Sequence, residues 1–195
     1  MISLGDIVYI RKQERVPLTL GKSYTIYRTL KPRAVDGEEA DRWTQHYLTG
    51  TVEVIQNEPD YVVGRVSEAF RPIRVDDKLM PYTERSPKIF FTQSPQGISG
   101  RIVAPEETTS IMLGEHSIAF IDQGEESGLA PGQKYAIFHQ YRARIDPLST
   151  KTTPLPPVDL GTLLVLRTEP ESATVLITRS QKEIPPGAMV RSPPE

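Results

Sequence analysis

Apolar residues in this chain occur in short runs in which they alternate with polar residues. The runs are rich in β-branched and aromatic side chains and are bounded by Gly, Pro, Asp or Asn, a pattern typical of β-strands. The 18 prolines are spread along the chain, and they leave few windows long enough for a helix. The pattern predicts a first set of strands at 6–11, 22–29, 49–57, 60–68 and 77–80. It predicts a second set at 98–104, 117–122, 133–141, 160–168, 172–179 and 188–191.

The second set of strands repeats the first at an offset of 111 residues, without a gap from Ile7 to Leu79. The identical pairs include Ile7/Ile118, Ile10/Ile121, Leu18/Leu129, Gly21/Gly132, Tyr24/Tyr135, Ile26/Ile137, Arg33/Arg144, Gly50/Gly161, Thr51/Thr162, Val54/Val165, Pro59/Pro170 and Ile73/Ile184. A repeat of this length exceeds solenoid and propeller units and therefore indicates a duplicated small domain. Because no cluster of polar, reactive residues recurs, the duplication favours a binding or structural protein over an enzyme.

The repeat predicts a first domain at 1–80, a linker at 81–97 and a second domain at 98–195. Short strands with regular turn signals predict an all-β fold of two tandem, internally duplicated antiparallel β-barrel-like subdomains, closed or nearly so to hide their edges. SH3-like and OB-like topologies both fit the pattern. The start of the chain shows no signal-peptide pattern. Gly5-Asp6 opens directly into a strand pattern, and the strand at 98–104 has no counterpart ahead of the first repeat. We therefore expect this sequence to be a fragment of a longer protein.

Glycine and proline mark the predicted turns. Pro131 precedes Gly132, as in a type II turn, whose third residue takes a positive φ. Gly21 retains the equivalent turn position in the first copy. Gly50 and Gly161 are expected to begin a strand in each copy, where the sheet bends or bulges.

Overall composition excludes several classes of function. The formal net charge of −2 and the pI near 6.0 give no reason to expect nucleic-acid binding. The absence of cysteine removes disulfides, thiol catalysis and thiolate metal sites. No apolar run approaches the roughly 20 residues that a membrane-spanning helix needs.

Candidate chemical motifs in the sequence all favour structural explanations. Gly21-Lys22-Ser23 matches the tail of a phosphate-binding P-loop, but Val16 occupies the position of the required upstream glycine, and a strand pattern follows instead of a helix. The histidines lack metal-ligand spacing, and the acidic pairs lie next to predicted turns, where carboxylates are usually solvated. The histidines are His46, His116 and His139, and the pairs are Glu38-Glu39, Asp76-Asp77, Glu106-Glu107 and Glu125-Glu126. We therefore predict no catalytic, cofactor-binding or metal-binding residues.

Four aromatic residues that do not recur between the copies are candidates for partner contact. Trp43, Tyr47, Phe90 and Phe91 lie in segments predicted to be irregular, and aromatic side chains dominate the anchors of protein interfaces. Alternatively, these side chains cover the boundary between the two subdomains.

The turn and strand signature resembles a known group of envelope proteins. In the second copy it runs Asp122-Gln-Gly124, Gly128-Leu-Ala-Pro131-Gly132-Gln-Lys-Tyr-Ala-Ile-Phe-His139, Leu160-Gly161-Thr-Leu-Leu-Val-Leu-Arg167, Ala173-Thr-Val175 and Ile184-Pro-Pro-Gly187. In the first copy it runs Gly5-Asp-Ile-Val-Tyr-Ile10, Gly21-Lys-Ser-Tyr-Thr-Ile-Tyr-Arg28, Gly50-Thr-Val-Glu-Val54 and Ile73-Arg-Val-Asp-Asp77. The signature is similar to the C-terminal region of LysM-containing envelope proteins, notably the secretin-associated TsaP proteins of type IV pili, and to the C-terminal domain of the flagellar assembly protein FlgT. The closing Gly-Asp turn of that signature is replaced by Asp76-Asp77 and Gly187-Ala188.

The resemblance implies a periplasmic, non-catalytic scaffold that associates with an outer-membrane secretin ring of a pilus or secretion system. Peptidoglycan binding would belong to an N-terminal LysM domain that this sequence lacks, and the signature carries no catalytic or ligand residues to transfer. The alternative is a glycan- or peptide-binding envelope module that uses the polar, irregular insertions expected at 30–48 and 141–159.

Overall fold

The computed structural model describes residues 2–12, 17–31, 43–84, 88–107, 112–144 and 151–193. Regular structure in these residues is strand, apart from one turn of 3-10 helix at Glu125–Ser127, which confirms the all-β prediction. The described residues of Met1–Lys31 and Thr44–Ser86 form one compact unit, here called unit 1. Those of Pro87–Glu195, together with Trp43, form unit 2.

Unit 1 is a five-stranded antiparallel sheet with the strand order β1-β4-β3-β2-β5. Two hairpins, β2–β3 and β3–β4, make up its centre, and β1 and β5 are its edges. The strands are β1 (Ile7–Arg11), β2 (Ser23–Leu30), β3 (Gln45–Asn57), β4 (Tyr61–Ala69) and β5 (Lys78–Pro81).

Unit 2 is a closed six-stranded antiparallel barrel with the strand order β11-β12-β7-β6-β13-β8. A separate two-stranded sheet pairs β9 with β10. The strands are β6 (Ser99–Pro105), β7 (Ile118–Ile121), β8 (Lys134–His139), β9 (Arg142–Ala143), β10 (Thr153–Pro154), β11 (Val158–Thr168), β12 (Ala173–Ser180) and β13 (Met189–Arg191).

The two units contain the same arrangement of strands at the offset of 111 residues. Strands β1 to β5 correspond in order to β7, β8, β11, β12 and β13. The register shifts in the β3–β4 pair, at Thr51/Val52 and Val54/Gln56, recur in the β11–β12 pair at Thr162/Leu163 and Val165/Arg167. The isolated bridge Ile2↔Ile73 likewise recurs as Leu113↔Ile184. The duplication seen in the sequence is therefore a duplication of fold, down to the position of each bulge.

Closure distinguishes the two units. In unit 2, β6 lies between β7 and β13 and bonds to both. No described residue of unit 1 occupies the corresponding place between β1 and β5, so its sheet stays open. The expectation of a closed or nearly closed barrel thus holds for unit 2, whereas the described residues of unit 1 form a barrel-like sheet with one strand fewer. The predicted strand that had no counterpart in the first repeat is the strand that closes the second.

Gly50 and Gly161 lie within strands and do not begin them, so that part of the prediction was wrong. Each follows a register shift, at which β3 or β11 has an extra residue opposite its hairpin partner. A Cβ on either glycine would overlap the backbone carbonyl of the neighbouring strand, at Glu68 or Arg179. The predicted bulge is therefore confirmed, and glycine is required by a close approach of two backbones.

Turn geometry also recurs. Positive φ angles occur at three equivalent pairs of positions, and in two of these pairs one member is not glycine. The pairs are Gly5 (85°) with His116 (67°), Gly21 (74°) with Gly132 (91°), and Asp76 (72°) with Gly187 (84°). The positive φ predicted for Gly132 is confirmed. Asp76 thus takes the same left-handed conformation in the first copy as Gly187 takes in the second.

The segments predicted to be irregular insertions contain additional strand. In 30–48, β3 begins at Gln45, and Leu30 pairs with Gln45. In 141–159, β9 pairs with β10, and β11 begins at Val158. The bulges at Thr49 and Leu160 interrupt the alternation of apolar and polar residues, which is why the pattern did not extend across them. Residues 32–42 and 145–150 lie outside the described residues.

The segment predicted to be a linker, 81–97, is divided between the units. Pro81 ends β5 of unit 1. The stretch from residue 88 onward follows unit 2, where the Thr92 amide donates to the Gly132 carbonyl at 3.0 Å. The Ser192 hydroxyl donates to the Pro95 carbonyl at 2.7 Å. Hydrogen bonds to its main chain and side chains, rather than burial of Phe90 and Phe91, hold this stretch in place.

Candidate functional site

The four aromatic residues predicted to contact a partner are divided between the two units. Tyr47 is partly buried on β3 of unit 1, where the Arg71 guanidinium lies 4.6 Å from its ring centre. Trp43 is partly buried and belongs to unit 2. Phe90 and Phe91, also in unit 2, are 78% and 70% exposed. Contact of these residues with a partner remains a prediction.

Phe90 and Phe91 are presented by a segment that is firmly attached to β8. The Lys134 amide donates to the Ser94 hydroxyl at 2.9 Å, and that hydroxyl donates to the Lys134 carbonyl at 2.6 Å. The Lys134 ammonium lies 4.1 Å from the centre of the Phe91 ring, a cation–π contact worth about 0.5–1 kcal/mol at an exposed site. The pair therefore forms a small exposed apolar patch on a fixed backbone.

The candidate phosphate motif has no phosphate-binding geometry. Gly21 occupies a turn closed by the Lys22 amide, which donates to the Thr19 carbonyl at 3.1 Å. Strand β2 begins at Ser23, so no helix N-terminus follows the glycine. Without a helix, the row of amide donors that holds a phosphate in a P-loop does not form.

The histidines have packing or turn positions, and no group of three or more potential metal ligands lies together among the described residues. The His46 ring packs on Tyr27 at 4.7 Å, and the His139 ring packs on Tyr141 at 4.3 Å. His116 occupies the left-handed turn that precedes β7.

Tyr135 is a buried titratable residue within the core of unit 2. Burial raises the pKa of Tyr135 from 10.0 to about 12, because the phenolate is poorly solvated in the barrel interior. Its hydroxyl donates to Gln133 Oε1 at 2.7 Å, and the same oxygen accepts the Ala130 amide at 2.9 Å. These bonds fix the turn before β8, so the arrangement is structural.

An open cleft of about 730 Å³ separates β1 from β5 in unit 1. We call it the edge cleft. Its apolar lining includes five residues that pack against the core of unit 1 but stay only partly buried: Ile2, Val8, Ile10, Leu18 and Leu79. Side chains of both signs surround it, since Arg11, Arg74, Asp76 and Lys78 also contribute to its walls.

The equivalents of these five residues are fully buried in unit 2, where β6 covers that side of the barrel. They are Leu113, Ala119, Ile121, Leu129 and Val190, each at most 3% exposed. The core of unit 2 contains 16 buried apolar residues and that of unit 1 contains 7, counted over the described residues. The edge cleft is therefore the part of the unit 1 core that no described strand covers.

A buried ion pair fixes one wall of the edge cleft. Arg28 and Asp77 make two hydrogen bonds of 2.8 Å, Nε to Oδ1 and Nη2 to Oδ2, and the Asp77 side chain is 4% exposed. The Arg74 amide also donates to Asp77 Oδ2 at 3.0 Å. In unit 2 the position of Asp77 is taken by the buried Ala188. The turn before β5 is thus held by charge where the turn before β13 is held by packing.

The prediction of site residues from the sequence missed the edge cleft. Ile10 and Leu18 recur between the copies as apolar scaffold positions, which gave no reason to expect a site there. The signal that could have revealed the cleft was the strand at 98–104, which has no counterpart in the first repeat.

Comparisons with known proteins identify neither a family nor a function for this chain. A scan against protein-family models matches no family, and a search of curated proteins finds no relative. Over the described ranges, no helix is long and apolar enough to cross a membrane.

Proposed function

We propose that this chain is a non-catalytic, periplasmic interaction module of the cell envelope that binds a partner protein. The observation that carries the proposal is the edge cleft, in which five apolar residues remain partly exposed at an open sheet edge. An apolar patch beside unpaired strand edges is a surface that proteins normally cover.

An outer-membrane secretin ring of a pilus or secretion system is the partner that we propose. Support for this choice comes from the likeness of the turn and strand signature to TsaP proteins and to FlgT. Peptidoglycan would be bound by a LysM domain outside these residues. The duplicated scaffold, with its reactive groups dispersed over turns and strands, supports a binding role over catalysis.

The proposal is tested by using the full 195-residue chain as immobilised bait in a detergent-solubilised cell-envelope extract. We expect a secretin to be recovered and identified by mass spectrometry. Recovery of no protein would contradict the proposal, and recovery of peptidoglycan fragments alone would in addition favour the glycan-binding alternative.

A variant of the bait tests the aromatic residues separately. If Phe90 and Phe91 contact the partner, replacing both with Ser lowers recovery, because two exposed anchors are lost. Tyr141→Ser is the matched control, since Tyr141 is also an exposed aromatic of unit 2. Equal recovery with all three baits would show that contact is made elsewhere on the chain.

A further inference from the structure

We infer that the edge cleft of unit 1 binds a single extended strand from the partner protein, which pairs with β1 and β5 and completes a six-stranded barrel. The inference rests on the proposed function and specifies how binding occurs. Unit 2 supplies the template, because β6 already occupies the equivalent place in the second copy of the same fold.

Backbone bonding of β6 shows how such a strand is held. The Ile102 amide donates to the Ala188 carbonyl at 2.9 Å, and the Gly187 amide donates to the Ile102 carbonyl at 2.7 Å. On the other side, the Glu106 amide donates to the Ile118 carbonyl at 2.9 Å. The strand is thus anchored through its main chain to both neighbours.

Equivalent main-chain groups line the edge cleft. At the offset of 111 residues they are the carbonyl of Asp77, the amide of Asp76 and the carbonyl of Ile7. Strands β1 and β5, which carry or adjoin them, are the two edges of the sheet. Because the turn at Asp76 has the same left-handed conformation as that at Gly187, these groups are already oriented for an incoming strand.

Side-chain requirements follow from the alternation along β6. Ile102 and Ala104 are buried in the barrel, whereas Ser99 and Arg101 are exposed. The partner strand therefore needs a large apolar residue and a small one at alternate positions, as Ile102 and Ala104 are in β6. These two inward side chains would cover the partly buried lining of the edge cleft.

The charges around the two sites differ, and the difference at Arg11 gives the partner strand a distinguishing feature. In unit 2, the carboxylate of Asp122 accepts the Arg101 amide at 2.6 Å. Arg11 takes the place of Asp122 in unit 1 and is exposed. A guanidinium favours a carboxylate beside it, so we expect an acidic residue in the partner strand where β6 has Arg101.

The cleft selects against a second copy of this chain as the occupant. A strand that bonds to both β1 and β5 needs two free edges. The edge strands of another unit 1 each have one side already paired within the sheet. A free tail or loop of a partner has both sides available, as in recognition by strand addition.

The test uses the full chain and fluorescein-labelled peptides with the sequence of residues 98–107, measured by fluorescence anisotropy. The first peptide has the natural sequence, the second carries Arg101→Glu, and the third carries Ile102→Asp with Ala104→Asp. We expect the Glu peptide to bind about two- to fivefold more tightly than the natural one, as for an exposed ion pair. The Asp peptide should bind at least about tenfold more weakly, because burying its carboxylates is costly.

A charge reversal in the protein provides the matched control. Arg11→Glu changes an exposed side chain and should reverse the preference, so that the natural Arg101 peptide binds more tightly than the Glu peptide. Hydrogen exchange locates the binding site. With peptide bound, amides of Ile7–Arg11 and Lys78–Pro81 should exchange at least about tenfold more slowly, while those of β7 and β13 are unchanged. The inference is overturned if the Arg11→Glu variant keeps the same peptide preference as the wild type, or if the protected amides lie in other strands.

Failure of the inference is distinguishable from failure of the proposed function. If a secretin is recovered and an excess of the Glu peptide does not displace it, the proposed function is retained and the strand-completion inference is overturned. Peptide binding with the expected specificity, together with an empty pull-down, would support strand completion and overturn the secretin assignment. Concentration-dependent self-association that peptide abolishes would identify a second copy as the occupant and overturn the choice of partner. A form extended at its N-terminus that no longer binds peptide would likewise overturn it, in favour of a strand from the chain itself.

Discussion

At the scale of single residues, the duplication places different amino acids in the same backbone conformation. His116 takes a φ of 67° where the first copy has Gly5 at 85°. A left-handed conformation costs a residue with a Cβ about 1–2 kcal/mol, while glycine costs roughly 0.5–1 kcal/mol through greater freedom in the unfolded chain. Exchanging His116 and Gly5 between the two copies therefore compares the two amino acids in the same turn conformation.

Exchanging these turn residues should change stability in opposite directions. We expect His116→Gly to raise the free energy of unfolding of unit 2 by about 0.5–1 kcal/mol, because it removes the left-handed strain. Gly5→His should lower that of unit 1 by a similar amount, although no atom lies within 4 Å of a Cβ at Gly5. Urea denaturation of the full-length variants measures both, and changes of the same sign would contradict the explanation.

Tyr135 gives unit 2 a pH-dependent stability. Its pKa is about 12 in the folded protein against 10.0 for the free side chain, so the unfolded chain releases the proton first as the pH rises. The stabilisation is complete below pH 10 and is lost between pH 10 and 12, by roughly 3 kcal/mol in total.

The measurement compares the wild type with Tyr135→Phe by denaturation between pH 8 and pH 11.5, over which other groups titrate equally in both. At pH 8 the variant should be less stable by about 1 kcal/mol through loss of the bond to Gln133. As the pH rises the difference should shrink and reverse. A constant difference would show that Tyr135 does not carry the pH dependence.

At the scale of elements, one additional strand decides how deeply its neighbours are buried. Ile121 on β7 and Ile10 on β1 are equivalent residues, but only Ile121 is fully buried, at 1% exposed. Its coverage comes from β6, with which it pairs through Ile102. An isoleucine at this position therefore contributes more to the stability of unit 2 than to that of unit 1.

Truncating the two isoleucines measures this difference. Ile121→Ala should cost about 2–5 kcal/mol, because it leaves a cavity in a closed core. Ile10→Ala should cost about half as much, since part of its side chain is already in water. Thermal and urea unfolding of both full-length variants provide the comparison. Equal losses would mean that β6 does not determine burial at this position.

At the scale of the whole molecule, the units differ in core size while sharing one arrangement of strands. Unit 2 has 16 buried core residues and unit 1 has 7 among those described. Apolar burial is the main source of folding free energy. Unit 1 is therefore the less stable of the two and gains more from anything that covers its exposed lining.

Hydrogen exchange of the full chain should show this difference directly. Central amides of β11 and β12 should exchange more slowly than the equivalent amides of β3 and β4, because they open only with the larger core. Comparing equivalent strands controls for local structure, since their bulges coincide. Equal protection, or slower exchange in unit 1, would contradict the predicted order of stability.

Most of the strand positions could be predicted from the sequence because strand alternation and turn chemistry are local properties. Each strand of the repeat was placed within a few residues, and Gly132 was recognised through Pro131. The prediction failed at the bulges, where an extra residue reverses the alternation. Strand β3 therefore extends back to Gln45, beyond its predicted start at 49.

The sequence by itself determined that this protein is all-β and duplicated, because a repeated local pattern folds in the same way twice. It also contained the unmatched strand at 98–104. Only the tertiary structure decided what that strand does, since its partners β7 and β13 lie on either side of it in space while β13 is distant along the chain. Burial of Ile10, Val8 and Leu79 likewise depends on whether a neighbouring strand is present. The identity of these three residues does not indicate whether that strand is there. The candidate site arises from this difference between two otherwise equivalent units.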